Sequence, residues 1–270
     1  MVINTNISSL RGLNALRRTS SEMAASVQRL ATGLRINSAA DDPAGMIASQ
    51  NLSREIVAIE NQKSADIRAY YQAAIGEAAL GEVSLLLRYA KTLNLANADP
   101  SLTPEQSDAN QQQIDAIANA VERITKGTTF AGKRVLDGAT VQSSSGEIAT
   151  TYLDIQTSIE GVQYTLDDLR SGGKAAGDTQ IAAKVIDDSI KNVNRTRAEL
   201  GSFQRYAIQS WGNVLDVTGE NLQAARSRIQ DTDYALEIAN MVRLQALTGV
   251  NLATLAMSNV QSQRVLGLLG

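Results

Sequence analysis

The stretch Leu13–Gly45, LNALRRTSSEMAASVQRLATGLRINSAADDPAG, decides the fold because a long apolar stripe in it runs into a polar, helix-breaking joint. In the stripe, apolar residues recur at alternating steps of three and four, the spacing of a coiled-coil seam. Ser20 is the one polar member of this series, whose apolar members are Leu13, Leu16, Met23, Val27, Leu30 and Leu34. The spacing predicts a helix that packs along another helix.

The joint contains residues that end one helix and start the next. Gly33 comes first, and the polar residue Asn37 lies four positions later. Asp41 and Asp42 come directly before Pro43. Asp42 suits a helix cap, and Pro43 suits the first helical position, where its missing N–H costs nothing. One helix is therefore predicted to end near Gly33 and another to begin at Pro43.

The composition limits the fold and the chemistry that the chain can support. Only two Phe and one Trp occur in 270 residues, whereas a thick globular core usually needs more large side chains. A chain rich in Ala, Leu, Ile, Val and Gln suits long helices packed one or two layers deep. Because Cys and His are absent, disulfides, thiol nucleophiles, imidazole bases and the usual zinc sites are excluded. Cation binding by carboxylates alone stays possible, but no pattern in the sequence supports it. We predict no catalytic residue, no cofactor, no metal site and no enzymatic activity.

Charge and hydropathy exclude two classes of partner. The net charge is −3, and Lys and Arg are scattered along the chain, so no electrostatic footprint for nucleic acid is apparent. No uninterrupted apolar run reaches the length that crosses a bilayer, so membrane insertion is not expected. The N-terminal sequence MVINTNISSLRG also lacks the basic start and apolar run of a cleaved secretory signal.

Two helices are predicted after the joint. Proline is absent between Pro43 and Pro100, which favours one helix to about Ala98, roughly 80 Å long at ~1.5 Å per residue. Its predicted inward stripe is Leu52, Ile56, Ile59, Ile67, Tyr70, Ala74, Leu80 and Leu87. Thr103 to Gln106 has the form of a capping box and starts a shorter helix that stops near Gly127. The seam of this second helix is Ile114, Ile117, Val121 and Ile124, and the two helices are expected to be antiparallel.

Between Phe130 and about Gly177 the helical period disappears. Short runs such as Lys133–Leu136 and Val162–Thr165 alternate with turn residues, which predicts two or three short hairpins. The turns are expected near residues 137–138, 145–146 and 160–161. Because this region is too small to be a domain, we expect it to cap one end of the helical bundle.

Helical spacing resumes at about Asp178. An inward stripe is predicted at Ile186, Ile190, Val193, Leu200, Ile208, Trp211, Leu215, Leu222, Ala225 and Ile229. The long step between Leu200 and Ile208 is expected to unwind the coil locally, and Trp211 is expected to be a core residue. Asp231 and Asp233 then form a second polar joint, which a last helix follows from about Ala235 to Leu269.

The last helix is apolar around most of its circumference, so one neighbouring helix cannot cover it. Its candidate interface residues are Leu244, Leu247, Leu252, Leu255, Val260, Val265, Leu266, Leu268 and Leu269, and Arg243 and Arg264 are its only charges past Glu237. Pairing with the N-terminal helix covers part of this surface, and copies of the same chain can cover the rest. If copies meet on different patches, an open helical filament or tube results. The predicted fold class is mainly α, a long antiparallel helical bundle with a small β-hairpin region and a separate coiled coil of the two terminal helices.

Four segments closely resemble bacterial flagellin. They are Asn4–Asn6 (NTN), Gly33–Gly45 (GLRINSAADDPAG), Phe130–Leu136 (FAGKRVL) and Leu222–Tyr234 (LQAARSRIQDTDY). The resemblance covers nearly the whole chain. It implies an inner coiled-coil domain lining the filament channel at 1–33 and 235–270, joints at 34–42 and 231–234, and a rod-like domain at 43–230 with hairpins at about 130–177.

The resemblance also implies where the chain acts and with what. A flagellin is exported by the flagellum's own type III apparatus, which accounts for the missing signal peptide, and it polymerises with itself in the extracellular filament used for swimming. The implied further partners are an export chaperone, the filament cap and the hook-junction proteins.

This sequence departs from many flagellins in two respects. Flagellins commonly carry large outer domains in the central β region, and here that region is short, so a minimal flagellin and a comparatively smooth filament are expected. In flagellins that an animal innate immune receptor detects, a helix carries Gln-Arg-x-Arg-Glu-Leu. The matching residues here are Arg88–Leu93, with Tyr89 and Thr92 in place of Arg and Glu, so the resemblance does not extend to recognition by that receptor.

Two other functions compete with a filament subunit. The hook–filament junction protein shares the terminal helices, but the match at Leu222–Tyr234 favours flagellin. Some flagellins resemble metalloproteases in an inserted segment, but that activity requires a His-Glu-x-x-His motif and this chain has no His.

Overall fold

The computed structural model describes residues 6–136, 138, 140–149, 157–159 and 162–269, with the side chains at 149, 157 and 261–269 left out of the description. The chain is mainly α, as predicted. Its helices are α1 (Ile7–Thr32), α2 (Pro43–Ala96), α3 (Pro104–Gly127), α4 (Thr179–Ser202), α5 (Ser210–Gln230) and α6 (Tyr234–Leu269). The predicted ends at Gly33 and starts at Pro43 and Pro104 are confirmed.

Local hydrogen bonds explain why these helices begin where they do. Thr103 and Gln106 form the predicted capping box at the start of α3, with Gln106 N–H donating to Thr103 Oγ1 over 3.3 Å and Thr103 N–H donating to Gln106 Oε1 over 3.0 Å. Asp178 caps α4 by accepting from the N–H groups of Gln180 and Ile181. These side chains satisfy N–H groups that the first helical turn leaves unpaired.

The β region forms three antiparallel hairpins. They are β1 (Thr129–Phe130) with β2 (Lys133–Arg134), β3 (Thr140–Ser143) with β4 (Gly146–Ala149), and β5 (Thr157–Ile159) with β6 (Val162–Tyr164). The turn predicted near 145–146 is confirmed, because Ser143 pairs with Gly146 across it. The turn predicted at 160–161 and part of that at 137–138 lie outside the described residues.

The chain divides into two compact units. We call residues 1–57 with 219–270 the terminal unit and residues 58–218 the central unit. The central unit is built around aliphatic side chains that α2, α3 and α4 bury together. The fully buried members include Leu80, Val83, Leu87, Val121, Val185, Ile186, Val193 and Leu200.

Part of the predicted inward stripe of the central unit is wrong. Ile67, Tyr70 and Trp211 are exposed, with 39% of Trp211 accessible. On α2 the buried positions nearby are instead Asp66, Ala69 and Ala73. Ala69 packs there against Phe203 and Ile208, so small side chains occupy the buried face of α2 and the larger apolar residues beside them are exposed.

The predicted local unwinding between Leu200 and Ile208 is confirmed. A π-helix spans Phe203–Gln209 and joins α4 to α5, and its wider turns absorb the extra residues. Phe203 and Ile208 on this segment are buried with Ala69 of α2 and Val141 of β3.

The hairpins do not cap one end of the bundle, contrary to the prediction. Asp66 of α2 accepts hydrogen bonds from Ser143 Oγ at 3.0 Å and from Ser144 N at 2.7 Å. Tyr164 of β6 is buried with the aliphatic core, and Gln111 of α3 donates to Leu169 O over 2.7 Å. The β region therefore lies along the helices of the central unit, because its buried side chains enter the core at several levels.

Candidate assembly surface and joint

The terminal helices α1 and α6 pack against each other as an antiparallel pair, which confirms the predicted pairing of the chain ends. A Cβ placed on Gly12 would lie 3.8 Å from Leu255 Cβ. Asn251 Nδ2 donates to Thr19 Oγ1 over 3.0 Å, and Asn6 Nδ2 donates to Ser258 O over 3.1 Å. The two helices are thus in close contact along most of the length of α1.

The seam between α1 and α6 is more polar than the sequence pattern predicts. Thr19 and Ser26 are buried on α1, whereas Val27 is 50% exposed. Leu244 is buried on α6, and buried Glu237 lies 3.9 Å from Arg29. Ser20 and Val27, which the predicted stripe includes, are therefore outside the intramolecular seam.

The other predicted interface residues fall into three groups. Half-buried side chains are Leu13, Leu16, Met23, Leu30, Leu34 and Leu255. Exposed side chains are Leu247, Leu252 and Val260. The remaining four, Val265, Leu266, Leu268 and Leu269, are positions of α6 whose side chains lie outside the described part of the structure.

A large apolar face of α6 is left exposed in the single chain. Besides Leu247, Leu252 and Val260, it presents Leu236, Ile238, Val242, Val250 and Met257. Apolar residues scattered singly on a surface are ordinary, but many on one helix make that helix a candidate for contact with another molecule. We call this face, together with the exposed Ile7, Leu10 and Val27 of α1, the assembly surface.

The two joints are hydrogen-bonded to each other. Leu34 and Asp231 form an antiparallel bridge, in which Arg35 N–H donates to Gln230 O over 2.7 Å and Thr232 N–H donates to Gly33 O over 2.8 Å. Arg35 Nη2 also donates to Ile229 O over 2.6 Å. The sequence did not predict this bridge, because neither segment has a strand pattern.

Two aspartates organise the first joint. Asp41 Oδ2 accepts from the N–H groups of Asn37 and Ser38 over 3.1 and 2.8 Å. These hydrogen bonds, first that from Ser38 and then that from Asn37, lower the pKa of the Asp41 carboxyl. Asp42 Oδ1 accepts from Gly45 N over 2.9 Å and so caps α2 as predicted. Asn37 Nδ2 donates to Leu34 O over 2.8 Å.

Local geometry favours glycine at two positions, one at each end of this joint. Gly33 ends α1 in a left-handed conformation (φ +73°), and a Cβ there would lie 2.9 Å from Tyr234 Oη. A Cβ on Gly45 would lie 2.7 Å from Cδ1 of the buried Ile36. Ile36 and Tyr234 lie within the predicted joints, but the sequence analysis does not single them out, and the only signal for Ile36 is its aliphatic side chain in a largely polar segment.

The second joint starts α6. Asp233 Oδ1 accepts from Leu236 N over 3.1 Å, so Asp233 caps this helix. Asp231 is exposed and contributes its backbone to the bridge. Among the described residues, no group of His, Cys, Asp and Glu could hold a metal ion, and no helix combines the length and hydropathy needed to cross a bilayer.

A mainly α chain with paired ends and a terminal helix that exposes an apolar face has the features of a self-assembling structural protein. Residues 3–141 match the model of the bacterial flagellin N-terminal helical region, and residues 183–269 match that of the C-terminal helical region. The chain belongs to the bacterial flagellin family and is a structural subunit of the flagellar filament, an extracellular polymer of such subunits.

Full-length relatives agree with this assignment. The chain is 30% identical over 289 residues to the flagellar filament 30.7 kDa core protein of Treponema maltophilum and 30% identical over 306 residues to flagellin of Bacillus subtilis, with all of each chain covered. A solved structure of Bacillus cereus flagellin aligns with a TM-score of 0.42 at 20% identity, over 66% of this chain and 93% of that one.

Proposed function

We propose that the assembly surface of α1 and α6 forms the contacts between subunits in the inner part of the filament. The observation that supports this is the exposed apolar face of α6, of which Leu252 and Met257 are 51% and 70% accessible. Burial of such surface stabilises an assembly by about 25 cal/mol per Å². Few charged side chains would lose solvent there, because Glu237 of α6 is already buried beside Arg29 in the single chain.

In this proposal residues 1–33 and 235–270 form the inner coiled-coil domain, and residues 43–230 form the surrounding rod-like domain. The joints at 34–42 and 231–234 connect the two domains. Backbone hydrogen bonds hold the two joints in one arrangement relative to each other. This arrangement supports a role for the joints in setting the filament's shape. The short hairpins support a filament without large outer domains.

The partners and the export route follow from the family resemblance. We propose export through the flagellar type III apparatus, and contacts with an export chaperone, the filament cap and the hook-junction proteins. The innate immune receptor is not proposed as a partner, because Tyr89 and Thr92 replace the Arg and Glu of the recognised pattern. The function is mechanical, and no enzymatic activity is proposed.

Deletion of Val260–Gly270 tests the assembly surface. The truncated chain is expected to keep its central helical bundle, measured by circular dichroism, and to lose polymerisation when seeded with filament fragments. The full-length chain under the same conditions is the control and should give long tubes in electron micrographs. Filaments from the truncated chain would place the main contacts elsewhere, and short rings from the full-length chain would favour a junction protein.

A further inference from the structure

The seam between α1 and α6 contains polar contacts at three levels. Near the start of α1, Asn6 Nδ2 donates to Ser258 O, and Ser258 Oγ lies 3.4 Å from Asn6 Oδ1. At mid-length Asn251 donates to Thr19, and near the end of α1 Arg29 lies beside Glu237. All three contacts lie within the terminal unit and fit one alignment of the two helices.

The mid-length contact is the most specific of the three. Thr19 is 7% exposed, and its Oγ1 donates to Ala15 O over 3.0 Å while it accepts from Asn251 over 3.0 Å. The hydroxyl thus has both a donor and an acceptor role satisfied inside the seam. A buried polar group without its partner costs more than a satisfied pair contributes, so this contact penalises other alignments.

A shift of α6 by one heptad would break these contacts while leaving the two helices packed. When the shift brings Asn251 to Gly12 instead of Thr19, its amide faces a residue that has no side-chain acceptor. Apolar heptads alone do not exclude such a shift, because each register presents similar side chains. A single buried polar position is the best-attested device that selects one register in coiled coils.

We infer that Thr19 and Asn251 are register-determining residues, which align α1 with α6 of the same chain. Their polarity keeps the seam selective, although apolar side chains such as Leu244 are also buried in it. The inference concerns the alignment of two helices within one chain, whereas the proposed function concerns contacts between chains. Its failure is therefore distinguishable from a failure of assembly.

Disulfide trapping can read the register directly, because the chain has no native Cys. Gly12→Cys with Leu255→Cys reports the observed register, since the 3.8 Å between the two Cβ positions equals the mean of about 3.8 Å in disulfides. Gly12→Cys with Thr248→Cys reports a shift by one heptad. Both reporters are placed in the otherwise unchanged full-length chain, and the crosslinks are compared on non-reducing gels for the chain in solution and for sedimented filaments.

The reporters are then combined with Thr19→Leu and Asn251→Leu. We expect the shifted crosslink to rise at least about threefold and the native crosslink to fall, with helicity retained. The control, Ser20→Leu with Thr254→Leu, changes exposed neighbours on the same helices and should leave both crosslinks unchanged. An unaltered ratio in the Thr19 and Asn251 variant, or loss of both crosslinks together with helicity, would overturn the inference.

Discussion

The central and terminal units bury different kinds of side chain. In the central unit, large aliphatic residues such as Leu80 and Val193 are inaccessible, although Leu95 and Tyr206 of the same unit are exposed. In the terminal unit, the seam contains Thr19, Ser26 and Glu237, while leucines and valines of α6 are exposed. The central unit therefore has a large aliphatic core within one chain, whereas the terminal helices bury mostly small and polar groups and leave an apolar face of α6 exposed. In the proposed assembly, other copies of the chain cover that face.

The largest expected effect is the loss of a core side chain from the central unit. Leu80→Ala should lower the free energy of unfolding by about 2–5 kcal/mol, because Leu80 is 0% exposed and a cavity remains. Chemical denaturation followed by circular dichroism measures this change. Leu85→Ala is the matched control, since Leu85 is 57% exposed on the same helix and should change stability by less than about 0.5 kcal/mol.

A substitution on the assembly surface is expected to weaken polymerisation and not folding. Leu252→Ala should leave the monomer's stability nearly unchanged but raise the critical concentration for polymerisation about tenfold, the equivalent of ~1.4 kcal/mol. Sedimentation of filaments at a series of concentrations measures it. Thr254→Ala, two residues along the same helix, should have little effect, and an unchanged critical concentration for Leu252→Ala would remove the contact from this face.

This contrast also explains how far the sequence predicts the structure. Helix ends were predictable at Gly33, Pro43 and Thr103, because caps and proline act through local backbone chemistry. The local unwinding between Leu200 and Ile208 was predictable from nearby residues as well, because the long step between these two residues breaks the heptad spacing of their stripe.

The identity of inward-facing residues was less predictable. Hydrophobic periodicity reports every apolar face, including faces that other chains cover, so Val27 and Trp211 were assigned to contacts that they do not make within the chain. Small or polar residues such as Ala73, Thr19 and Asp66 occupy buried positions that periodicity overlooks. The bridge between Leu34 and Asp231 joins segments almost 200 residues apart, and no local pattern encodes it.

A smaller effect is expected at Gly33, whose left-handed backbone conformation ends α1. Gly33→Ala should lower the stability of the α1–α6 pair by about 1–2 kcal/mol, because Ala is strained at φ +73°. Its Cβ would also contact Tyr234 Oη, so the waveform of the filaments should change. Gly249→Ala is the control within α6, where no atom lies within 4 Å of the added Cβ and about 0.5–1 kcal/mol of stabilisation is expected.

Thermal unfolding of the two glycine variants and dark-field microscopy of their filaments separate the roles of the joint. If both variants shift the unfolding temperature in the same direction, the left-handed conformation of Gly33 is not required. If the waveform of the Gly33→Ala filament equals that of the unchanged chain, the joint does not set filament shape.

The smallest effect is expected within the polar seam itself. Ser26 is 1% exposed and its Oγ has no hydrogen-bond partner among the described residues, so the hydroxyl is desolvated without compensation. Ser26→Ala should therefore be neutral or stabilise the terminal unit by up to about 1 kcal/mol, measured by thermal unfolding. Thr19→Ala should instead destabilise it, because Asn251 would lose its buried acceptor. Equal effects of the two substitutions would mean that burial alone, and not hydrogen bonding, distinguishes the polar positions of this seam.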